Sequence, residues 1–210
     1  MDAKDWDSRY DQAELTWSLG PNQWVVDITA DLSPGRVLDL AAGEGRNAIW
    51  LAERGWHATA VDFSAVALER ATRIAAERLG QDVTRFSVRE ADLASFIPEA
   101  QSYDLVLVVY LQVASELRSR VLRAAAEAVA PGGMLVVIAH DTQNAERGYG
   151  GPPNPAVLYS ASDVTSDIDG CGLAVHRAER VTRVVETPEG ARTALDCLVA
   201  ASRPRTEPTP

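Results

Sequence analysis

The stretch Val37-Leu38-Asp39-Leu40-Ala41-Ala42-Gly43-Glu44-Gly45-Arg46-Asn47-Ala48, followed by an apolar segment ending on Asp62, decides the fold. A short apolar run carrying one acid, then a Gly-x-Gly turn, then a helical pattern, is how a doubly wound α/β fold opens its nucleotide crevice. The small residues Ala41, Ala42 and Gly43, with Gly45 after them, let the backbone approach a ligand closely. Alanine at position 41 is expected to hold a negative φ, because its Cβ disfavours the left-handed region. Asp62 falls at the carboxyl end of the second strand, where a carboxylate accepts hydrogen bonds from both hydroxyls of a ribose.

Asp39 separates two readings of that turn. Gly43-Glu44-Gly45-Arg46-Asn47-Ala48 fits Gly-x-Gly-x-x-Ala literally, which keeps a Rossmann-type NAD(P)-dependent oxidoreductase open. In such enzymes the strand ahead of the glycines is normally apolar throughout, whereas here an acid stands inside it. An acid in an apolar strand is costly unless something pairs with it, so Asp39 and Asp62 both ask for a partner.

Working outward, strands are expected over residues 36–40, 56–61, 83–88, 104–109 and 134–139, with helices over 46–54, 65–79 and 115–130 between them. Ser64 is placed to cap the helix that starts at Ala65, and Gly55, Gly80 and Pro131-Gly132-Gly133 read as stops. The near-continuous apolar run 104–109 suits the centre of a parallel sheet. A short helix over 23–32 precedes the first strand, and another over 160–168 follows the Gly/Pro-rich loop 141–155. The segments 173–186 and 191–202 flank Pro188-Glu189-Gly190 and read as an antiparallel hairpin. The fold class is therefore α/β: a Rossmann-like, doubly wound, mostly parallel seven-stranded sheet ending in an antiparallel hairpin. Residues 1–202 are expected to form a single domain, with 1–33 a helical lid region at its N-terminal side and 203–210 a disordered tail.

Composition narrows the function. The chain has 210 residues, 46% of them hydrophobic and 24% charged, and no apolar run long enough to span a bilayer. Thirty acids against twenty Lys and Arg give a net charge of −10, which repels phosphate backbones and disfavours nucleic-acid partners. A small-molecule substrate, with no membrane partner, is the expectation; oligomeric state stays open. Cys171 and Cys197 are too few for a thiolate metal site, and no metal is expected. The polar start Met1-Asp2-Ala3-Lys4-Asp5-Trp6-Asp7 reads as neither signal nor transit peptide, which points to the cytoplasm.

The stretch 37–45 resembles motif I of the class I S-adenosylmethionine-dependent methyltransferases, and four further segments fall in that family's order. They are Asp62-Phe63-Ser64, Glu90-Ala91-Asp92-Leu93, the strand Tyr103 onward, and Pro131-Gly132-Gly133 ahead of the fifth strand. Gly43-x-Gly45-Arg46-Asn47, Trp50-Leu51-Ala52-x-x-Gly55 and the lead-in Trp6…Trp17…Pro21-Asn22 look nearest to the thiopurine and tellurite-resistance type branch. The resemblance implies a methyltransferase using S-adenosyl-L-methionine. By it, Ala41, Gly43 and Gly45 pack against the methionine part, Asp39 holds the amino group, and Asp62 takes the ribose hydroxyls. Phe63 lies beside the adenine, Asp92 and Leu93 read its edge, and Asn47, Ser64 and Val109 complete the implied donor site. A local cap is the alternative role for Asp92.

The acceptor side is sought at the carboxyl edge of strands four and five, where open α/β sheets meet ligands: Tyr110, Gln112, His140 and Asp141. Tyr110 and His140 are the catalytic candidates, His140 because an imidazole titrates near neutrality; it equally suits a hydrogen bond to the following loop. Trp6, Tyr10 and Trp17 are read either as a lid over the acceptor or as a staple of the N-terminal helix. The expected reaction is in-line methyl transfer to a thiol, nitrogen or oxygen of a small molecule. The resembled branch favours a soft nucleophile already deprotonated, with His140 acting through position. An oxidoreductase, or a module that binds the donor without catalysis, are the alternatives.

Overall fold

The run Leu105-Val106-Leu107-Val108 has no exposed surface and forms the centre of the sheet. A computed structural model describes residues 20–205; the lid aromatics Trp6, Tyr10 and Trp17 and the end of the tail lie outside the described residues. Its strands are β1 (Arg36–Leu40), β2 (His57–Asp62), β3 (Phe86–Glu90), β4 (Tyr103–Val109), β5 (Val129–His140), β6 (Ala174–Val185) and β7 (Arg192–Ser202). Its helices are α1 (Gln23–Thr29), α2 (Arg46–Glu53), α3 (Ala65–Leu79), α4 (Ser115–Ala128), α5 (Asn144–Arg147) and α6 (Ala161–Asp167). The sheet runs β3-β2-β1-β4-β5-β7-β6, parallel through β5, with β7 antiparallel to both its neighbours. The expected seven-stranded architecture is therefore present, and the strand order reverses between β1 and β4, which opens the crevice there.

Alternation along the strands feeds two cores, because successive side chains leave opposite faces of a sheet. Leu105, Leu107, Val136 and Ile138 pack with Ile49 and Leu51 of α2, Ala75 of α3 and Val25 of α1. Val106, Val108, Leu135 and Val137 pack with Val121 and Leu122 of α4, Val164 of α6 and the fully buried Tyr159. Caps set the helix starts: Ser64 Oγ accepts the amide of Ala67 at 3.1 Å, and Asn22 Oδ1 that of Trp24 at 2.9 Å. Ser160 and Asp163 form a reciprocal capping box on α6. Among the described residues no helix is long and apolar enough to cross a membrane.

Three expectations change. Residues 80–85, half of them assigned to the third strand, form a 3-10 turn, and β3 starts only at Phe86, in register with Ala58. Val83 is turned into the core beside α2 and α3, so its apolar character came from packing and not from pairing. Pro131-Gly132-Gly133 is not a break before β5 but an irregularity inside it. The pairing jumps from Tyr103↔Val129 to Leu105↔Met134, and Gly132 absorbs the detour at φ 81. The helix before it stops at Ala128 for the same reason. Arg203, assigned to a disordered tail, is anchored: its Nε donates to the Val129 carbonyl at 2.7 Å and its Nη2 to that of Ala126 at 2.8 Å.

Candidate active site

Every loop that faces the β1/β4 crevice leaves a carboxyl strand end. The first, from β1 to α2, is a run of left-handed turns with φ of 58 at Ala41, 54 at Gly43 and 74 at Gly45. The negative φ expected for Ala41 is thus overturned; the turn needs the left-handed region, and alanine carries the strain there. At Gly45 both reasons for glycine meet. Its φ is left-handed, and a Cβ would stand 3.2 Å from Ala71 Cβ and 3.3 Å from Phe86 Cζ.

Beneath this turn lies Asp39, 1% exposed, on the α2 side of the sheet. Its Oδ2 is buried without any hydrogen-bond partner. Burial pushes the carboxyl up to about 7; the nearby Arg46 charge and the Ala48 amide pull it down, and Asp62 pushes it further up. A buried acid poised near neutrality with one oxygen unsatisfied is a site for a cationic hydrogen-bond donor.

Asp62 is also buried, and both its oxygens are engaged. Oδ2 accepts the Gly43 amide at 2.8 Å and Oδ1 the Ser64 amide at 3.0 Å, which ties the end of β2 to the Gly-rich turn. A carboxylate oxygen can accept more than one hydrogen bond. Phe63 is half-buried next to it, and Ser64 is wholly buried as the cap of α3. Asp92 is exposed at the end of β3; its Oδ1 takes the Ala94 amide at 2.8 Å, the local cap foreseen as its alternative role. Leu93 is half-buried against the α4 side of the core, and Val109 is buried at the end of β4. Asn47 turns out to be a brace: its Oδ1 accepts the Asn22 amide at 2.8 Å and so fixes the start of α1 against α2.

Tyr110 and His140, the catalytic candidates at the carboxyl edge of β4 and β5, gather around a residue that the sequence reading passed over. Asp196 of β7, with no exposed surface, accepts the Tyr110 hydroxyl at 2.8 Å and Arg183 Nε at 2.9 Å on its Oδ2. Its Oδ1 lies 3.4 Å from His140 Nδ1. Burial raises the Asp196 carboxyl, but His140, Arg183 and Tyr110 together outweigh it and hold the group below the usual carboxylate range. Burial and the Asp196 charge raise the Tyr110 phenol well above its ordinary value, so it remains a protonated donor and not a base. Tyr110 holds φ 60, a strained conformation, and Asn22 Nδ2 reaches its hydroxyl at 3.3 Å. Asp196 carried a legible signal all the same: it stands inside Leu195-Asp196-Cys197-Leu198-Val199, the pattern that singled out Asp39. Arg183 and Asn22 carried none beyond type.

Gln112 and Asp141 hold the scaffold. Gln112 Oε1 accepts the His140 amide at 2.8 Å and its Nε2 donates to the Val157 carbonyl at 2.6 Å. Asp141 is 1% exposed and takes Arg180 Nε at 2.7 Å and the Gln143 amide at 2.9 Å, so it pins the start of the Gly/Pro loop. Asn144 of α5 pins the rest, donating to the Gly150 carbonyl and accepting the Leu195 amide.

The fold so described is that of the class I methyltransferases, and residues 37–133 match the family model described as Methyltransferase domain. Among curated relatives, the 2-heptyl-1-hydroxyquinolin-4(1H)-one methyltransferase of Mycobacteroides abscessus is 32% identical over 133 residues, 61% of this chain and 57% of that one. The chain spans just over half the length, 57%, of the curated relatives it matches first. A solved structure described as "Conversion of a Disulfide Bond into a Thioacetal Group during Echinomycin Biosynthesis" superposes with TM-score 0.76 at 19% identity, covering 98% of this chain and 93% of that one. The magnesium protoporphyrin IX methyltransferase of Synechocystis PCC 6803 with bound SAH superposes with TM-score 0.66 at 19% identity, over 94% and 83% of the two chains.

Proposed function

We propose that the chain is an S-adenosylmethionine-dependent methyltransferase acting on a small-molecule nucleophile. One observation carries this reading: Asp39 Oδ2 is buried and unsatisfied beneath the Gly43–Gly45 turn, where it would receive the donor's ammonium group. A buried acid in that place opposes a dinucleotide, whose pyrophosphate would bring like charge to it, and so counts against the oxidoreductase.

When bound, the donor supplies an electrophilic methyl carbon on a sulfonium. Asp39 would hold the ammonium, Asp62 a ribose hydroxyl, and Ala41, Gly43 and Gly45 would leave room for the backbone to lie against the methionine part. Phe63, Asp92 and Leu93 follow the carboxyl ends of β2 and β3 and would flank the adenine. Alignment of nucleophile, methyl and sulfur is what the protein has to provide. Tyr110 and His140, their rings tilted by 33° with centroids 4.8 Å apart, would form the acceptor wall. Small-molecule acceptors are supported by the net charge of −10 and by the acceptors named for the relatives. Membership of the thiopurine and tellurite-resistance type branch is supported by Gly43-x-Gly45-Arg46-Asn47 and by the lead-in Pro21-Asn22, whose Asn22 reaches Tyr110. A cytoplasmic site is supported by the free thiols Cys171 and Cys197.

Calorimetric titration with S-adenosylmethionine, its demethylated product and NAD tests the reading. Binding of the first two and not of NAD is expected. Binding of NAD alone would replace it by the oxidoreductase. Donor binding without turnover on a thiol, azole and phenol panel would favour the non-catalytic module.

A further inference from the structure

Two buried polar atoms of this site face each other unbonded. His140 Nδ1 and Asp196 Oδ1 lie 3.4 Å apart, and neither has a hydrogen-bond partner. The other carboxylate oxygen of Asp196 and the backbone of His140 are committed. Asp196 Oδ2 takes Tyr110 and Arg183, while the His140 main-chain amide is held by Gln112. The imidazole is also confined: the Tyr110 ring lies on one side, and Gly151 packs so closely that a Cβ there would come 3.0 Å from His140 Cγ and Cδ2. The acceptor that Nδ1 faces is Asp196 Oδ1. His140 Nε2, by contrast, has no hydrogen-bond partner among the described residues and is not one of the buried unsatisfied atoms, and the side chain keeps 14% of its surface exposed.

We propose that Asp196 is a positioning residue that fixes His140 in its Nδ1–H form, leaving Nε2 as general base for a methyl acceptor that still carries a proton: a phenol, an enol or an azole N–H. This rests on the methyltransferase reading above and selects its substrate class. The acceptor's proton passes to Nε2 as the acceptor's electron pair forms the bond to the methyl carbon. The carbon–sulfur bond breaks with its electrons going to sulfur, which leaves a neutral thioether. The imidazolium so formed faces the Asp196 carboxylate and later returns its proton to water. Catalytic hydrogen bonds that are long in a free enzyme commonly tighten when the complex forms, so a 3.4 Å approach suits the role. The charged and titratable groups around the ring are Asp196 from β7, Arg183 from β6 bound to it, Tyr110 after β4, and Asp141 next in the chain, which is neutralised by Arg180. A thiolate has no proton to give and would gain little from this pair. Here the geometry departs from the soft nucleophile that the sequence resemblance favours.

The test has two arms. Nitrogen-15 NMR of the imidazole in the full chain without ligand reads the tautomer directly: Nδ1 protonated and Nε2 bare is expected, with Asp196→Asn shifting the ring toward Nε2–H. A wild-type ring protonated on Nε2 overturns the proposal, and that measurement needs no variant to fold. With S-adenosylmethionine and the phenol, azole and thiol panel, His140→Ala should lower kcat on the phenol or azole by about 10²–10⁴-fold. Donor Kd should hold, the loss should shrink as pH approaches the acceptor's own pKa, and it should be smaller on the thiol. Asp196→Asn should change the pH profile on the same acceptors. Wild-type kcat in both variants on a proton-bearing acceptor overturns the pairing. Absence of donor binding by calorimetry would instead strike the methyltransferase reading itself, with the NMR arm still deciding the tautomer.

Discussion

Asp62 Oδ2 accepts the amide of Gly43 at 2.8 Å, so the acid that ends β2 also holds the shape of the Gly-rich turn after β1. In the proposed donor site, shape and donor affinity would be coupled through this one carboxylate. A ligand that bonds Asp62 meets a turn already held in place, which lowers the ordering that binding must impose.

Asp62→Ala should weaken S-adenosylmethionine binding and destabilise the fold together. The substitution strands the buried amides of Gly43 and Ser64, which costs about 1–3 kcal/mol, and donor Kd should rise about tenfold or more. Urea unfolding and calorimetry on the same protein check both. Wild-type affinity in a folded variant would remove Asp62 from the donor site.

Asp39, as the proposed ammonium receptor, should make stability and donor binding depend on pH in opposite directions. Its folded carboxyl sits at about 7, above its unfolded value, so the folded state binds the extra proton between about pH 4 and 7. Stability should fall as pH rises through that window and level off above it. A cationic group on the carboxylate favours the ionised form, so donor affinity should rise over the same window and binding near pH 6 should release a proton. Calorimetry in two buffers of different ionisation heat measures the release. Asp39→Asn should flatten both dependences and weaken the donor.

Tyr159 is fully buried beside α4 and α6, and its hydroxyl donates to the Leu111 carbonyl at 2.9 Å. Burial raises its phenol well above the ordinary value, so the bond persists across the working pH range. Tyr159→Phe should cost about 1–2 kcal/mol by leaving that carbonyl unsatisfied. The urea midpoint should fall at unchanged slope, with donor Kd unaltered.

Much of the proposed donor half of the site was legible along the chain because each of its candidate residues belongs to a local pattern. Asp39 interrupts an apolar strand, Gly43 and Gly45 mark a turn, and Asp62 ends the next strand, all within about one β-α-β unit. The acceptor half was legible only in part. Tyr110 and His140 could be placed at strand ends, but Gln112 and Asp141 proved to brace the loops around them. Asp196 went unread although it breaks an apolar strand as Asp39 does, since it lies in the terminal hairpin, where no motif draws notice.

The sequence by itself determined the alternation of strands and helices, the hairpin at the end, the Gly-rich turn and its two acids. These follow from periodicity, capping and turn chemistry, which act over a few residues. Only the tertiary structure decided that β7 inserts between β5 and β6, and that insertion brings Asp196 to His140, 56 positions earlier, at 3.4 Å. It also decided that Asp39 keeps an unsatisfied oxygen and that Ala41 takes a left-handed φ. Each of these depends on what another strand or helix places nearby, and strand order across a sheet is set by packing of the whole core, not by the residues along any one strand.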